Sequence, residues 1–300
     1  MSETRDNEYR VSVALATYNG AKYLPDLLES LCRQTLPPAE IIVFDDGSSD
    51  ETQAVLKRFS HRLPIIVHVN EQSVGVIRNF KRAVAACGSD YVAFCDQDDV
   101  WFPTKLALSM DKMLEIDGSF PAMVFTDLTV VDENLGITAD SYWQHRKLKP
   151  EKETFSSLLW GNFVTGFTMI INKPMTLEVA KMPDTVLMHD FWIACVAYGV
   201  GRWAYIDRPT AYYRQHTTNV TNNDAVTWQS RQKRAVEFLR GANLYLQPQL
   251  DQAALFYKLY SQCLPTNSKD ALTKFLAVAR HPPLRRKWSA FLVKFLHIHS

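Results

Sequence analysis

Apolar residues in the first half of the chain fall in short, nearly continuous runs separated by stretches of helical spacing. Val11-Ser12-Val13-Ala14-Leu15-Ala16, Ile41-Ile42-Val43-Phe44, Ile65-Ile66-Val67-His68-Val69 and Tyr91-Val92-Ala93-Phe94-Cys95 read as four strands. Between them, Leu24, Leu27, Leu28 and Leu31 share one helical face. Val55, Leu56 and Phe59 share another behind the start signal Ser48-Ser49-Asp50-Glu51, and a third helix is predicted over about 76–86. Strands without polar alternation, interleaved with helices, predict an α/β fold whose central sheet is mostly parallel and flanked by helices on both faces.

The second half is less regular. Met123 to Asp127 reads as a strand, Ser141 to Lys152 as a hydrophilic loop bearing aromatic residues, and about 155–160 as a short helix. A glycine-bearing strand is predicted over Val164 to Ile171, a helix over about 191–198, and two closing strands at Trp203 to Ile206 and Ala211 to Arg214. Beyond Asp224 the pattern is helical, which divides the chain into a sheet domain, 1–220, and a helical C-terminal extension, 221–300.

Polar residues gather where the strands end. Thr17-Tyr18-Asn19-Gly20 follows the first, Asp45-Asp46-Gly47-Ser48 the second and Asp96-Gln97-Asp98-Asp99 the fourth. Ligands of open parallel sheets bind beyond the strands' carboxyl ends, so three such loops define one site. Clustered carboxylates repel unless a cation sits between them, and hard oxygen ligands on a short loop suit Mg2+ or Mn2+ shared with a substrate's phosphates. A metal-bridged diphosphate is the ligand expected. The alternative is a solvated acidic turn, with Asp99 helping to cap the helix near Pro103.

At 47% hydrophobic residues, 300 residues can bury a large core, and a net charge of +1 offers no global attraction to nucleic acid. The five cysteines, Cys32, Cys87, Cys95, Cys195 and Cys263, are widely spaced without a paired ligand pattern, which suggests a reduced, cytoplasmic protein. No signal-peptide core opens the chain and no run reaches the roughly 18 apolar residues of a membrane span. After Asp270 there is no acid, and Leu284, Trp288, Phe291, Leu292, Phe295 and Leu296 recur at helical spacing beside Arg285, Arg286, Lys287 and Lys294. Such a basic amphipathic helix suits either the inner face of the cell membrane, as a peripheral contact, or docking on protein.

Taken in order, Thr17-Tyr18-Asn19-Gly20, Asp45-Asp46-Gly47-Ser48-Ser49-Asp50, Gly75 with Arg78-Asn79, Asp96-Gln97-Asp98-Asp99 and His189-Asp190 resemble glycosyltransferase family 2. The likeness covers about 11–216. Asp96-Gln97-Asp98-Asp99-Val100-Trp101 and Tyr213-Arg214-Gln215-His216 are most similar to bacterial rhamnosyltransferases of surface polysaccharide assembly. The resemblance implies the GT-A fold, a nucleotide-diphosphate sugar donor such as a dTDP- or UDP-sugar, and inversion at the sugar carbon. It places Thr17, Tyr18, Asn19, Asp46, Arg78 and Asp96 at the donor, and Asp98, Asp99 and His216 at the metal. Asp190 becomes the catalytic base, with His189 standing where the family usually has an acid. Asn162, Thr165 and Gly166, with Gly161, line the acceptor side, and the acceptor is a saccharide or a lipid-linked saccharide.

From the residues alone, Arg78 also reads as an exposed helix face, Asp190 as the N-cap of the helix beginning at Phe191, and His216 as a structural histidine. Trp101, Tyr142, Trp143 and Trp160 would either exclude water from the site or simply belong to the core. Two rival functions share the sheet and the acids: a nucleotidyltransferase, which needs a basic glycine-rich loop after the first strand, and a non-catalytic sugar-nucleotide-binding scaffold.

Overall fold

The computed structural model describes residues 9–216 and 246–278. By its contacts the chain divides into two units, one of 1–152 with 163–215 and one of 153–162 with 216–300. The expected division at residue 220 falls outside the described residues, as does the amphipathic stripe from Leu284 to Leu296.

In the first unit, β1 (Val11–Thr17), β2 (Glu40–Asp45), β3 (Ile65–Val69) and β4 (Tyr91–Asp96) pair in parallel in the order β3-β2-β1-β4. Helices α1 (Leu24–Cys32), α2 (Thr52–Phe59) and α3 (Val76–Ala86) connect them. The apolar runs are buried because both faces are covered: Val13, Leu15, Ile41, Val43, Val92 and Phe94 lie in the interior with Leu24, Leu27, Leu28 and Leu31 of α1. Each such leucine contributes about 2 kcal/mol by leaving water. The edge strand β3 departs from this pattern, with Ile66, Val67 and Val69 exposed.

Beyond β4 the sheet becomes mixed. β5 (Val100–Trp101) precedes α4 (Lys105–Met113), β6 (Ala122–Val131), β7 (Ile137–Ala139) and α5 (Tyr142–Arg146). The chain then passes through α6 (Phe155–Leu158) of the second unit before returning with β8 (Ile170–Asn172), α7 (Lys173–Ala180), α8 (His189–Gly199) and β9 (Arg202–Arg214). The strand order continues β4-β8-β6-β9-β5 with β7 on β6, and β8 runs antiparallel to both its neighbours.

Three predicted elements differ. The two closing strands are one, β9, paired in parallel with β6; its register shifts where Pro209, which has no N–H to give, lies opposite Asp127. The predicted loop over Ser141 to Lys152 begins with α5, capped by Ser141 Oγ, which accepts from Gln144 N at 3.1 Å, and held by buried Asp127, which accepts from Trp143 N at 3.1 Å. The predicted strand Val164 to Ile171 shrinks to β8, because Gly166–Thr168 forms a 3-10 turn closed by Thr168 Oγ1 donating to Thr165 O at 2.7 Å.

In the second unit, α6 carries a capping box between Thr154 and Ser157. It packs with α9 (Gln247–Tyr260) and α10 (Thr266–Val278) through Phe155 against Phe256 and Trp160 against Phe275. Among the described residues no helix is long and apolar enough to cross a membrane.

Candidate active site

Strand register brings the motifs together. Thr17 pairs with Asp45 and Ala16 with Asp96, so the loops leaving β1, β2 and β4 start side by side at one sheet edge. Four consecutive backbone N–H groups of the first loop then donate to side chains of the other two loops and of the start of α2. Tyr18 N reaches Gln97 Oε1 at 2.9 Å, Asn19 N reaches Ser48 Oγ at 2.9 Å, Gly20 N reaches Thr52 Oγ1 at 2.8 Å and Ala21 N reaches Asp50 Oδ2 at 3.0 Å. Asn19, at φ 47°, returns the contact by accepting from Ser49 N at 2.9 Å. A loop so tied leaves the Tyr18 ring, 54% exposed, as its outward group.

The aspartates after β2 are spent inside this framework. Buried Asp45 accepts from Thr17 Oγ1 at 3.2 Å and from Ser48 Oγ. Asp46 accepts from Ser73 Oγ, Val74 N, Gly75 N and Asn70 Nδ2 at 2.6–3.0 Å, which closes the loop into α3. Burial pushes the Asp46 carboxyl up, but hydrogen bonds from Ser73, Val74, Asn79 and Gly75 outweigh it and hold the group down at about 2.

The acid loop after β4 behaves differently. Asp96 is raised to about 8 by burial and then by the negative charges of Asp98 and Asp190. Asp190 thus stands near the acid loop although it lies 94 positions beyond Asp96 in the chain. Asp99 is only 1% exposed; its Oδ1 accepts from Arg214 N at 3.2 Å, and it is held above the carboxylate range by burial and by Asp98 and Asp96, against the pull of Arg214. Asp99 is therefore not a solvated turn residue. The carboxylates crowd one another, which is the electrostatic condition a divalent ion relieves. Among the described residues no group of three His, Cys, Asp or Glu side chains is arranged to hold a metal ion.

Asp190 lies in the first turn of α8, which begins at His189 after Met188, so it does not occupy the N-cap position expected of it. His189 is buried in a stack with Phe80, centroids 4.1 Å apart, and Phe94, at 5.5 Å. Neither ring nitrogen has a hydrogen-bond partner, and burial pushes the imidazole down to about 3. A Cβ on Gly166 would stand 3.0 Å from His189 Nε2 and 3.6 Å from Asp190 Cβ. The glycine therefore serves the close approach of α8, and it puts Thr165-Gly166 next to Asp190.

Other expected site residues lie elsewhere. Arg78 sits on the outward face of α3, where Nε donates to Asp184 Oδ2 at 3.0 Å, and it lines a groove of about 440 Å³ with Lys81, Arg82, Ala85, Ala180 and Asp184. No acid-loop residue lines that groove. Asn162 and His216 belong to the second unit, as does Gly161, where an added Cβ would meet nothing within 4 Å. Trp101 and Trp143 are core residues, 2% and 5% exposed. Linear reading missed Gln97 and Arg214. Gln97 is visible only as the polar residue between two aspartates, and Arg214 only as a charge ending an aromatic strand.

Comparison with known proteins agrees with this geometry. The family model described as Glycosyl transferase family 2 matches residues 12–175. The dTDP-rhamnosyl transferase RfbG of Shigella flexneri is 26% identical over 219 residues, 68% of this chain and 72% of that protein. The putative teichuronic acid biosynthesis glycosyltransferase TuaG of Bacillus subtilis is 25% identical over 228 residues, 74% of this chain and 84% of that one. Among solved structures, S. aureus TarS in complex with UDP-GlcNAc superposes with a TM-score of 0.54 at 21% identity, covering 84% of this chain and 73% of that one. The mannosyltransferase PcManGT from Pyrobaculum calidifontis, in complex with GDP-Man and Mn2+, gives a TM-score of 0.52 at 18% identity over 97% and 86%. With more than half of its length matched by the family model and the fold of these enzymes, the chain belongs to glycosyl transferase family 2 and has the GT-A fold.

Proposed function

We propose that this glycosyltransferase is an inverting, metal-dependent enzyme that moves a sugar from a nucleotide-diphosphate donor to a saccharide or lipid-linked saccharide in surface polysaccharide synthesis. The observation that carries the reading is the convergence of Asp96, Asp98 and Asp190 at the carboxyl edge of the parallel strands, close enough to raise Asp96. The similarity to RfbG supports a dTDP-linked donor and rhamnose as the sugar, and the similarity to TuaG supports a cell-surface polymer as the product.

In this reading the Tyr18 ring offers the base a flat apolar face, with Thr17, Asn19 and Asp46 fixing the loops around it. Asp96 is assigned to the ribose side, and Asp98, with Asp99, would hold a Mg2+ or Mn2+ ion shared with the diphosphate. When bound, the divalent ion supplies counter-charge for the departing diphosphate. Asp190 accepts the proton of the acceptor hydroxyl as that oxygen attacks the sugar carbon. The bond to the diphosphate oxygen breaks in the same displacement, which inverts the carbon. Thr165 and Gly166, beside Asp190, are assigned to the acceptor side. Contact with the inner membrane face through the stripe at 284–296 would bring the enzyme to a lipid-linked acceptor.

The nucleotidyltransferase alternative needs loop N–H groups turned toward phosphate, and the four of Tyr18 to Ala21 are already donated to side chains. The scaffold alternative goes with loss of the acid cluster or of the base, and Asp96, Asp98, Asp99 and Asp190 are all present. Product analysis with a panel of dTDP- and UDP-sugars tests the reading. A nucleoside diphosphate and a product of inverted anomeric configuration are expected, whereas pyrophosphate release or retained configuration would overturn it.

A further inference from the structure

Gln97 lies between two motif aspartates, yet its side chain turns away from them. Nε2 donates to Tyr18 O at 3.1 Å while Oε1 accepts from Tyr18 N at 2.9 Å. These are the two bonds a neighbouring strand's backbone would make. The parallel β1–β4 ladder runs out at Ala16 opposite Asp96, and the Gln97 carboxamide extends it to Tyr18. The adjoining sequence makes room for this. A Cβ on Gly20 would fall 2.3 Å from Gln97 Oε1 and 2.8 Å from its Cδ, with no backbone atom among the nearest neighbours. Gly20 φ lies outside the left-handed region, so the missing side chain there serves the Gln97 amide and not a special backbone angle.

We propose that Gln97 is a positioning residue that couples the nucleotide loop to the metal loop, so that ordering one orders the other. The inference rests on the reading of Tyr18 and Asp98 given above. Asp98 follows Gln97 directly, and Tyr18 is gripped through both its N–H and its carbonyl, so a shift of the acid loop on taking up a cation is transmitted to the ring at Tyr18. Gln97 acts in this proposal through its bonds to Tyr18, and its effect is on linkage between two ligands.

The test is a cycle of Gly20→Ala, Gln97→Met and the double variant, with nucleotide affinity for UDP and dTDP measured by calorimetry in Mn2+ and in EDTA. Methionine keeps the length and packing of glutamine without its hydrogen bonds, and alanine at Gly20 expels the amide without altering it. The ratio of the affinities in Mn2+ and EDTA is expected to fall about tenfold in each single variant, with no further fall in the double variant. A merely structural role would lower both affinities alike and leave the ratio unchanged, and that result would overturn the proposal. Additive losses in the double variant would also overturn it. Amide exchange at Tyr18 separates this from failure of the functional reading. Slow exchange in the parent and fast exchange in Gln97→Met support the clamp even if neither nucleotide binds, and equal exchange in both refutes it.

Discussion

Arg214 donates from Nε to the carbonyl oxygen of Asp98 at 3.0 Å, so a buried guanidinium on the last sheet strand fixes the backbone of the acid loop. Its other groups reach Glu133 O at 2.9 Å and Asp26 Oδ2 at 2.7 Å, its backbone N–H reaches Asp99, and its plane lies over the Tyr23 ring at 4.7 Å. Lysine keeps the charge but cannot make this fork. Arg214→Lys is expected to lose about 2 kcal/mol of stability through the carbonyl groups left unpaired, and to need more Mn2+ for half-maximal activity. Urea unfolding and a Mn2+ titration check both; an unchanged unfolding midpoint would mean the fork contributes nothing.

His189 makes a pH prediction whose sign follows from its burial. The folded-state imidazole is depressed to about 3, below its unfolded value near 6.5, so between these limits the unfolded chain binds a proton that the native one refuses. The associated stability is present above pH 6.5 and is lost as pH falls, at up to about 1.4 kcal/mol per pH unit. His189→Leu should flatten this acid limb while leaving stability at pH 8 little changed. Identical pH dependence of parent and variant in thermal melts would contradict the sandwich between Phe80 and Phe94.

Asp190→Asn should leave donor affinity nearly intact and lower kcat by roughly 100-fold, the scale of a general base. Single-turnover sugar transfer measures this directly. An undiminished rate would return Asp190 to the role of a first-turn helix residue.

The parallel half of the fold was legible because β1, β2 and β4 carry nearly continuous apolar runs, and once their order is known the gathering of three polar loops follows. Among the short or interrupted elements, the helix near residue 155 was legible and others were not. Residues 142–146 are too few for helical periodicity to show, and Pro209 makes one strand read as two. At the site, the aspartates after β2 look equivalent to those after β4 in the sequence, yet Asp46 is saturated by four donors while Asp96 faces other carboxylates. That difference depends on contacts with Ser73 to Gly75 and with Asp190, which no local pattern contains. The role of Gln97 likewise depends on the register that sets Ala16 opposite Asp96.

The proposed chemistry depends on Asp98 carrying a cation shared with the donor diphosphate, and one titration tests this most directly. UDP and dTDP are titrated calorimetrically into the parent and into Asp98→Ala, each in Mn2+ and again in EDTA, with circular dichroism confirming that the variant is folded. Binding to the parent should be strengthened at least tenfold by Mn2+, and the variant should bind equally weakly in both conditions. Mn2+-strengthened binding by folded Asp98→Ala that matches the parent would contradict the assignment of the metal to this loop.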